Sequence, residues 1–310
     1  EISREEPFAK KFAEVLAGLH PDMRLGFEEN DLTVAEYHKI MHVHKNVMPV
    51  PTQGRVEELR MIKRKDEVKN IRRAAKIADE CFECILKKIK PGVSENKIAW
   101  EIESFIRSRG VSLAFSPIVA FGRNTSQPHY NTNNKRRPFD SAQGEQNITL
   151  QKQDVVLLDF GAKVNGYCSD MTRVVFVGKP KDEWKRAYET VVNAQKKSLE
   201  YLQRSHPAWQ GETFQERSSA KADRIAREVI AKAGFPAYPH SLGHGVGLDI
   251  HEAPRLTIKK DASLKPGMVV TVEPAIYKEG SYGIRIEDLV LLKKDGIELL
   301  SKSKKEMTIL

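Results

Sequence analysis

The chain has 310 residues, 40% of them hydrophobic, enough for two domains or one large one with a sizeable core. No apolar run approaches the ~18 residues of a membrane-spanning helix, so no membrane partner is expected. The formal charge of +9 is carried by scattered Lys and Arg, with short clusters at Lys63-Arg64-Lys65 and Lys135-Arg136-Arg137 and no interleaved aromatics. That pattern reads as solvated surface, and no nucleic-acid partner is expected.

The chain opens on Glu1 without a basic-then-apolar leader, so a soluble protein lacking part of its natural N-terminal portion is expected. Cys81, Cys84 and Cys168 fit a reducing compartment better than a disulfide framework, which implies a cytoplasmic location. Cys81 and Cys84 form a lone CxxC inside ADECFECILKKI, where helical spacing explains both as small buried residues rather than as a zinc knuckle.

Residues 1–55 read as a small α/β fragment: an amphipathic PFAKKFAEVLAGL, a strand in MRLGFEE, a helical LTVAEYHKIMHVH, and a proline-marked boundary at VMPVP. His20, His38, His42 and His44 fall here. His38 and His42 are four apart on a helix but have no carboxylate or Cys partner, so an exposed helix face is expected. From Val56 a long amphipathic stretch, VEELRMIKRKDEVKNIRRAAKIADECFECILKKI, places Ile71 and Ala74-Ala75 on a buried side and ends at Lys90-Pro91-Gly92. Ser94 then reads as the N-cap of a second helix that stops at Gly110. SPIVAFG, residues 116–122, reads as a strand, followed by a polar loop containing His129, which alone carries no role. Residues 135–151 read as a long polar excursion.

Residues 155–177, VVLLDFGAKVNGYCSDMTRVVFV, form a hairpin around Asn165-Gly166, since both central positions of such a two-residue turn need φ > 0. The register follows: Val164 faces Tyr167, Gly161 faces Asp170, and Asp159 lies diagonally across from Asp170. Both carboxylates leave one face, roughly 7–8 Å apart at the backbone. Each interrupts a Val/Leu/Phe-rich run, where Asp is otherwise depleted. Two carboxylates aimed at one spot call for something positive between them.

Helical stretches over 182–204 and 211–232 come next, and then YPHSLGHGVGLDIHEAP. Its His240, His244 and His251 sit among glycines that permit close approach of backbone or ligand, which favours a site over a core reading. In the last region a Pro-Gly turn launches a strand carrying Glu273, and a second strand carries Glu287. For both glutamates to share a face, the connecting loop needs an odd residue count or the strands need a bulge, so an irregularity is expected near Pro274 or over 278–282. Asp288 should point to the opposite face.

Asp159, Asp170, Glu273 and Glu287 together with His244 form an oxygen-rich set with one imidazole. Two divalent cations would neutralise it, leaving room for a nucleophile between metals ~3.5–4 Å apart. The donor set suits Mn, Co, Fe or Zn rather than a cysteine-zinc site. Metal-assisted hydrolysis is the chemistry that follows.

These residues, within LLDFGAKVNGYCSDMTR, HSLGHGVGLDIHEAP, PGMVVTVEP and GIRIEDLVLL, resemble the pita-bread metallopeptidases: methionine aminopeptidase, aminopeptidase P and prolidase. The likeness runs from about Val56 to the C-terminus. LDIHE and the EELRMIKRKDEVKNIRRAAKIAD lead-in resemble the Xaa-Pro branch, and residues 1–55 resemble the tail of that branch's N-terminal domain. The resemblance implies an α+β protein with a partial N-terminal α/β domain of creatinase type over 1–55 and a pita-bread catalytic domain over 56–310. It implies two divalent metal ions, manganese first and Co, Zn or Fe otherwise, held by Asp159, Asp170, His244, Glu273 and Glu287, with Asp170 and Glu287 bridging.

The resemblance also implies that Glu273 accepts the proton of the attacking water, that His129 and His251 steady the oxyanion and the leaving amine, that His240 lines the proline pocket, and that Arg285 ties down ligand carboxylates. The function it implies is an Xaa-Pro aminopeptidase acting as a homodimer on peptides with proline in second position. The alternative is an Xaa-Pro dipeptidase, and more distantly a non-catalytic binding protein on the same fold. Against the family pattern, His129 lies unusually far before Asp159, an excess traced to residues 137–147, RPFDSAQGEQN, where an inserted loop is inexpensive.

Overall fold

The computed structural model describes residues 11, 12, 14, 23–43, 48–132, 148–203 and 217–310. The helix expected over 7–19, His20, His44, residues 137–147 and residues 211–216 therefore lie, wholly or mostly, outside the described residues. Two compact units divide the chain, Glu1–Leu59 and Arg60–Leu310.

In the first unit, strand β1 (Arg24–Glu28), helix α1 (Val34–Val43) and strand β2 (Met48–Thr52) form a β-α-β segment in which β2 pairs parallel to β1. VMPVP is thus part of a strand rather than a boundary: its two prolines occupy a sheet that has two strands among the described residues, where a missing N–H is tolerated at an edge. Phe27 and Tyr37 pack with ring centroids 5.4 Å apart, joining strand to helix. His38 and His42 are exposed on α1.

The stretch expected to be one long helix from Val56 is two, α2 (Arg55–Met61) and α3 (Lys65–Leu86). Tertiary contacts cause the break. Lys63 N–H donates to Gly267 O at 2.8 Å, and the Lys63 ammonium is buried against Glu252, so this lysine is not solvated surface as its cluster suggested. Helix α4 (Glu95–Ser108) starts where expected, with the Ser94 hydroxyl accepting from Lys97 N–H, and Gly110 follows it at φ +71°.

Strands β3 (Ser112–Leu113), β4 (Ile118–Phe121), β5 (Asp154–Phe160), β6 (Ala162–Val164), β7 (Tyr167–Cys168) and β8 (Met171–Val177) build the first half of the larger unit. Helix α5 (Asp182–Gln203), strand β9 (Arg217–Ser218) and helix α6 (Ser219–Lys232) lead into the second half. That half holds β10 (Gly243–Gly245), β11 (Glu252–Leu256), β12 (Ser263–Leu264), β13 (Val269–Val272), β14 (Ala275–Lys278), β15 (Tyr282–Arg285), β16 (Asp288–Lys293), β17 (Gly296–Leu299) and β18 (Thr308–Ile309). The two main sheets have the orders β18-β8-β5-β4 and β11-β10-β13-β16-β17.

Period-two alternation sorts the buried strands between helix layers. Val156, Leu158 and Phe160 of β5 pack with Ile77, Phe82, Ile98 and Ile102 of α3 and α4. Val155 and Leu157 face the other way, into a core with Val191, Leu202 and Ile230 of α5 and α6 and with Val270, Val272 and Val290 of the second sheet. Asp159 has the parity of that second set.

Both long hairpins are interrupted without losing register. In the first, Asp159 faces Thr172 and Val164 faces Tyr167, as expected, but the ladder breaks at Gly161 and its two parts enter different sheets. Asn165 (φ 48°) and Gly166 (φ 86°) make the turn. Gly161 is required by backbone, since a Cβ there would lie 1.7 Å from Ser169 O. In the second, Val272 faces Asp288 and Ala275 faces Arg285, in one register, across a break at Glu273-Pro274. The loop after Lys278 has three residues before Tyr282, the odd count that lets Glu273 and Glu287 share a face. Asp288 turns away to Arg173 and Lys305, as expected.

Candidate metal centre

The two interruptions deliver the acidic side chains. Asp159 stands near the end of β5, while Asp170, Glu273 and Glu287 occupy the breaks themselves. Glu273 and Glu287 lie opposite one another in register, yet their N–H groups go elsewhere: Glu273 donates to Leu242 O at 2.8 Å and Glu287 to Thr172 O at 3.1 Å. His244 is central on β10, fixed by its N–H to Thr271 Oγ1 at 3.0 Å. Gly243 lets β10 approach β13, because a Cβ there would lie 1.9 Å from Thr271 O.

Ligand atoms of Asp170, His244 and Glu287 all lie within 4.8 Å of one another, a buried group that could hold a metal ion. His244 Nε2 is 3.6 Å from Asp170 Oδ2 and 3.4 Å from Glu273 Oε1. Asp159 lines the same cavity, with Oδ2 accepting from Arg285 Nη2. Arg285 also donates to Thr172 Oγ1 (3.1 Å), Pro128 O (3.0 Å) and Tyr277 Oη (2.7 Å), so it joins both hairpins to the loop before His129.

The charges and lone pairs of this group are those of a cation site. His244 Nδ1 lies 3.1 Å from Gly245 O and so carries the proton, which leaves the Nε2 lone pair facing carboxylate oxygens. Burial, with His251 adding, lowers the His244 pKa to about 3, so the ring is neutral. Asp159 Oδ1 and Asp170 Oδ1 are buried with no hydrogen-bond partner among the described residues. Burial raises Glu273 to about 8, with Asp159 adding to the shift. Asp170 and Glu287 are raised well above the ordinary carboxylate range, first by burial and then by neighbouring carboxylates. An acceptor facing acceptors, two orphaned oxygens and mutually repelling acids are relieved together by a divalent cation. The residues present therefore fit the metal that the sequence implied.

The remaining sequence-derived residues border a cavity of about 570 Å³. His251 packs edge-on against His244 with ring centroids 4.4 Å apart, and burial, with Arg255 adding, lowers its pKa. His240 stacks on Tyr238 at 5.1 Å, and its Nε2 lies 3.2 Å from Tyr277 Oη. Burial, with Arg285 adding, lowers the His240 pKa to about 4. His129 is exposed on the cavity wall. Its loop is anchored by the buried Glu95 carboxylate, which accepts from Phe121 N–H (2.7 Å), Asn124 Nδ2 (2.9 Å) and Tyr130 Oη (2.7 Å).

Sequence reasoning missed Arg255, Tyr277 and Glu95. Tyr277 was within reach, since it has the parity of Glu273 on the same hairpin. Arg255 and Glu95 carry no such signal, one being an exposed arginine and the other a first-turn glutamate. The apolar cavity wall of Phe115, Ile118 and Ile250 was equally invisible.

A pita-bread arrangement of two interrupted hairpins around one acidic cavity defines a hydrolase of the creatinase and prolidase type. The chain belongs to metallopeptidase family M24, which matches residues 69–294, and the Creatinase/Prolidase N-terminal domain matches residues 2–62. It is 40% identical over 289 residues to an uncharacterised peptidase of Bacillus subtilis, covering 93% of this chain and 75% of that one. It is 37% identical over 254 residues to the Xaa-Pro dipeptidase of Pyrococcus furiosus, covering 81% and 66% respectively. The chain thus spans about two thirds to three quarters of the length of these relatives. Among solved structures, the Xaa-Pro dipeptidase from Bacillus anthracis superposes with a TM-score of 0.85 at 38% identity, covering 97% of this chain and 78% of that one. The X-Pro aminopeptidase from Thermotoga maritima gives 0.85 at 30% identity, covering 99% and 81%.

Proposed function

We propose that this chain is a dinuclear metal-dependent Xaa-Pro dipeptidase, with a partial N-terminal α/β domain over 1–55 and a catalytic domain over 56–310. The observation that carries the dipeptidase over the aminopeptidase reading is Arg255. It lines the cavity that holds the candidate ligands, has no carboxylate in salt-bridge range among the described residues, and is joined on the wall by Lys259. A free carboxylate immediately after proline, present only in a dipeptide, supplies the anion these cations lack. Two relatives with 37% and 38% identity bear the name Xaa-Pro dipeptidase, which favours the same choice.

Asp159, Asp170, His244, Glu273 and Glu287 would hold two divalent ions, manganese foremost. When bound, such ions polarise the scissile carbonyl and acidify water. Glu273, as the carboxylate, takes the proton of the attacking water and passes it to the leaving proline nitrogen. His129 and His251 hydrogen-bond the developing oxyanion and the leaving amine, His240 borders the proline ring, and Phe115, Ile118 and Ile250 receive the first residue. A cytoplasmic homodimer acting on proline-containing dipeptides completes the reading.

Hydrolysis of Ala-Pro, Ala-Pro-Ala and Met-Ala-Ser with added manganese or cobalt, and with a chelator, tests this. Preferential cleavage of Ala-Pro, lost with chelator, supports the proposal. Faster cleavage of Ala-Pro-Ala would restore the aminopeptidase reading, and turnover insensitive to chelator would sink the metal mechanism.

A further inference from the structure

At the break in the second hairpin, the carbonyls of Val272 and Ile286 immediately precede Glu273 and Glu287 in the chain. Both accept from one side chain: Gln195 Nε2 donates to Val272 O at 3.0 Å and to Ile286 O at 3.2 Å. Gln195 is on α5 and fully buried. An amide nitrogen has two hydrogens, so each carbonyl receives one. The other end of the amide is equally determined. Its Oε1 accepts from Lys305 Nζ at 3.0 Å, and an ammonium can only donate, which fixes the amide's orientation.

Lys305 also pairs with Asp288, whose second oxygen is held by Arg173, and Arg173 in turn donates to the carbonyl oxygens of Thr172 and Glu287. The carbonyls of Val272, Ile286 and Glu287 are thereby held, and the Gln195 amide joins the two strands at the break.

We propose that Gln195 is a positioning residue for the metal centre: its amide sets the backbone path that presents Glu273 and Glu287, and Lys305 orients it. This rests on the reading of those glutamates as metal ligands. Nothing in Gln195 touches the cavity or would touch a metal, so its effect is transmitted through two carbonyls. Partners that orient ligands in this way typically contribute about 10–100-fold to metal affinity.

The experiment is calorimetric titration of the metal-free chain with Mn²⁺, alongside thermal melting without metal, for the parent, Asp170→Asn and Gln195→Met. Methionine keeps the buried volume and removes both donors. Weak or absent Mn²⁺ binding by the parent, or an unchanged isotherm in Asp170→Asn, overturns the ligand reading itself. With the parent tight and Asp170→Asn weak, a roughly 10–100-fold loss in Gln195→Met below its melting temperature supports the inference. An isotherm within about threefold of the parent's overturns it and leaves a packing role only. Gln195→Glu, which keeps the shape and gains an ion pair with Lys305, serves should the methionine variant not fold, and the same two results decide.

Discussion

Arg285 holds Asp159 by one oxygen only, leaving Asp159 Oδ1 buried and without a partner among the described residues. The guanidinium manages this while also binding Thr172, Pro128 and Tyr277, four partners that a point charge on a flexible stem cannot serve together. Arg285→Lys should therefore keep the charge and lose the geometry. We expect kcat on Ala-Pro to fall about 100-fold and Mn²⁺ affinity about tenfold, with the fold retained by circular dichroism. Near-parental kcat would show that Asp159 is held by other means.

Gly161 marks the point where the first hairpin passes from one sheet to another, and its missing side chain is a steric demand. A Cβ would sit 1.7 Å from Ser169 O, 2.7 Å from Ser169 C and 3.2 Å from the Ala114 methyl, and the Ser169 backbone has little room to yield. Gly161→Ala should destabilise the chain by about 3 kcal/mol or more. It should also displace Asp159 and Asp170, weakening Mn²⁺ binding in whatever fraction folds. Urea unfolding measures the first effect, and a loss under about 1 kcal/mol would contradict it.

The metal-free chain should become less stable as pH rises from about 6.5 to 8. Glu273 is raised from 4.5 to about 8 in the folded state, so it retains its proton there while the unfolded chain has lost it. That contribution is fully present below 4.5 and is lost as pH passes through about 8. Asp170 and Glu287 are raised and act in the same direction. The histidines oppose this only in acid: His240 and His244 are lowered from 6.5 to about 4 and about 3, so their stabilisation is lost as pH falls below 6.5. Mn²⁺ competes with the protons on the carboxyls, and its stabilising effect should grow across the same 6.5–8 interval. Calorimetric melting at several pH values, with and without Mn²⁺, checks both slopes. A metal-free melting temperature that rises through this interval would contradict the assignment.

Much of the fold was legible because the hairpins carry local signals. Asn165-Gly166 sets one register by turn chemistry, and the requirement that Glu273 and Glu287 share a face forced the odd loop of the other. Residues whose role depends on distant partners were not legible. Lys63 sits in a basic cluster of helical period, and only Glu252, far along the chain, turns it into a buried break between two helices. VMPVP looked like a boundary because proline usually marks one, whereas pairing with β1 makes it a strand. Gln195 is one polar residue in an amphipathic helix, and nothing local distinguishes it from its exposed neighbours.

The buried pair Lys63–Glu252 lies beside His251 and joins the α2–α3 break to the start of β11. Arg60 also reaches Glu252 at 2.7 Å and extends to Asp249. The Glu252 carboxylate fills the space over Gly247, where a Cβ would lie 2.4 Å from Oε1. Glu252 is the neighbour of His251 in the chain, so the pair anchors the backbone segment that carries the imidazole. Lys63→Met removes the more deeply buried of its two cations, and breaking such a pair typically costs about 3–5 kcal/mol. The retained Arg60 contact should reduce this to about 2–3 kcal/mol in urea unfolding. The same variant should lower kcat on Ala-Pro roughly tenfold with Mn²⁺ affinity unchanged, because neither Lys63 nor Glu252 belongs to the candidate ligand set. Lys63→Arg should recover part of kcat if charge and position are what matter. A Lys63→Met variant as stable and as active as the parent would show that Arg60 alone holds Glu252.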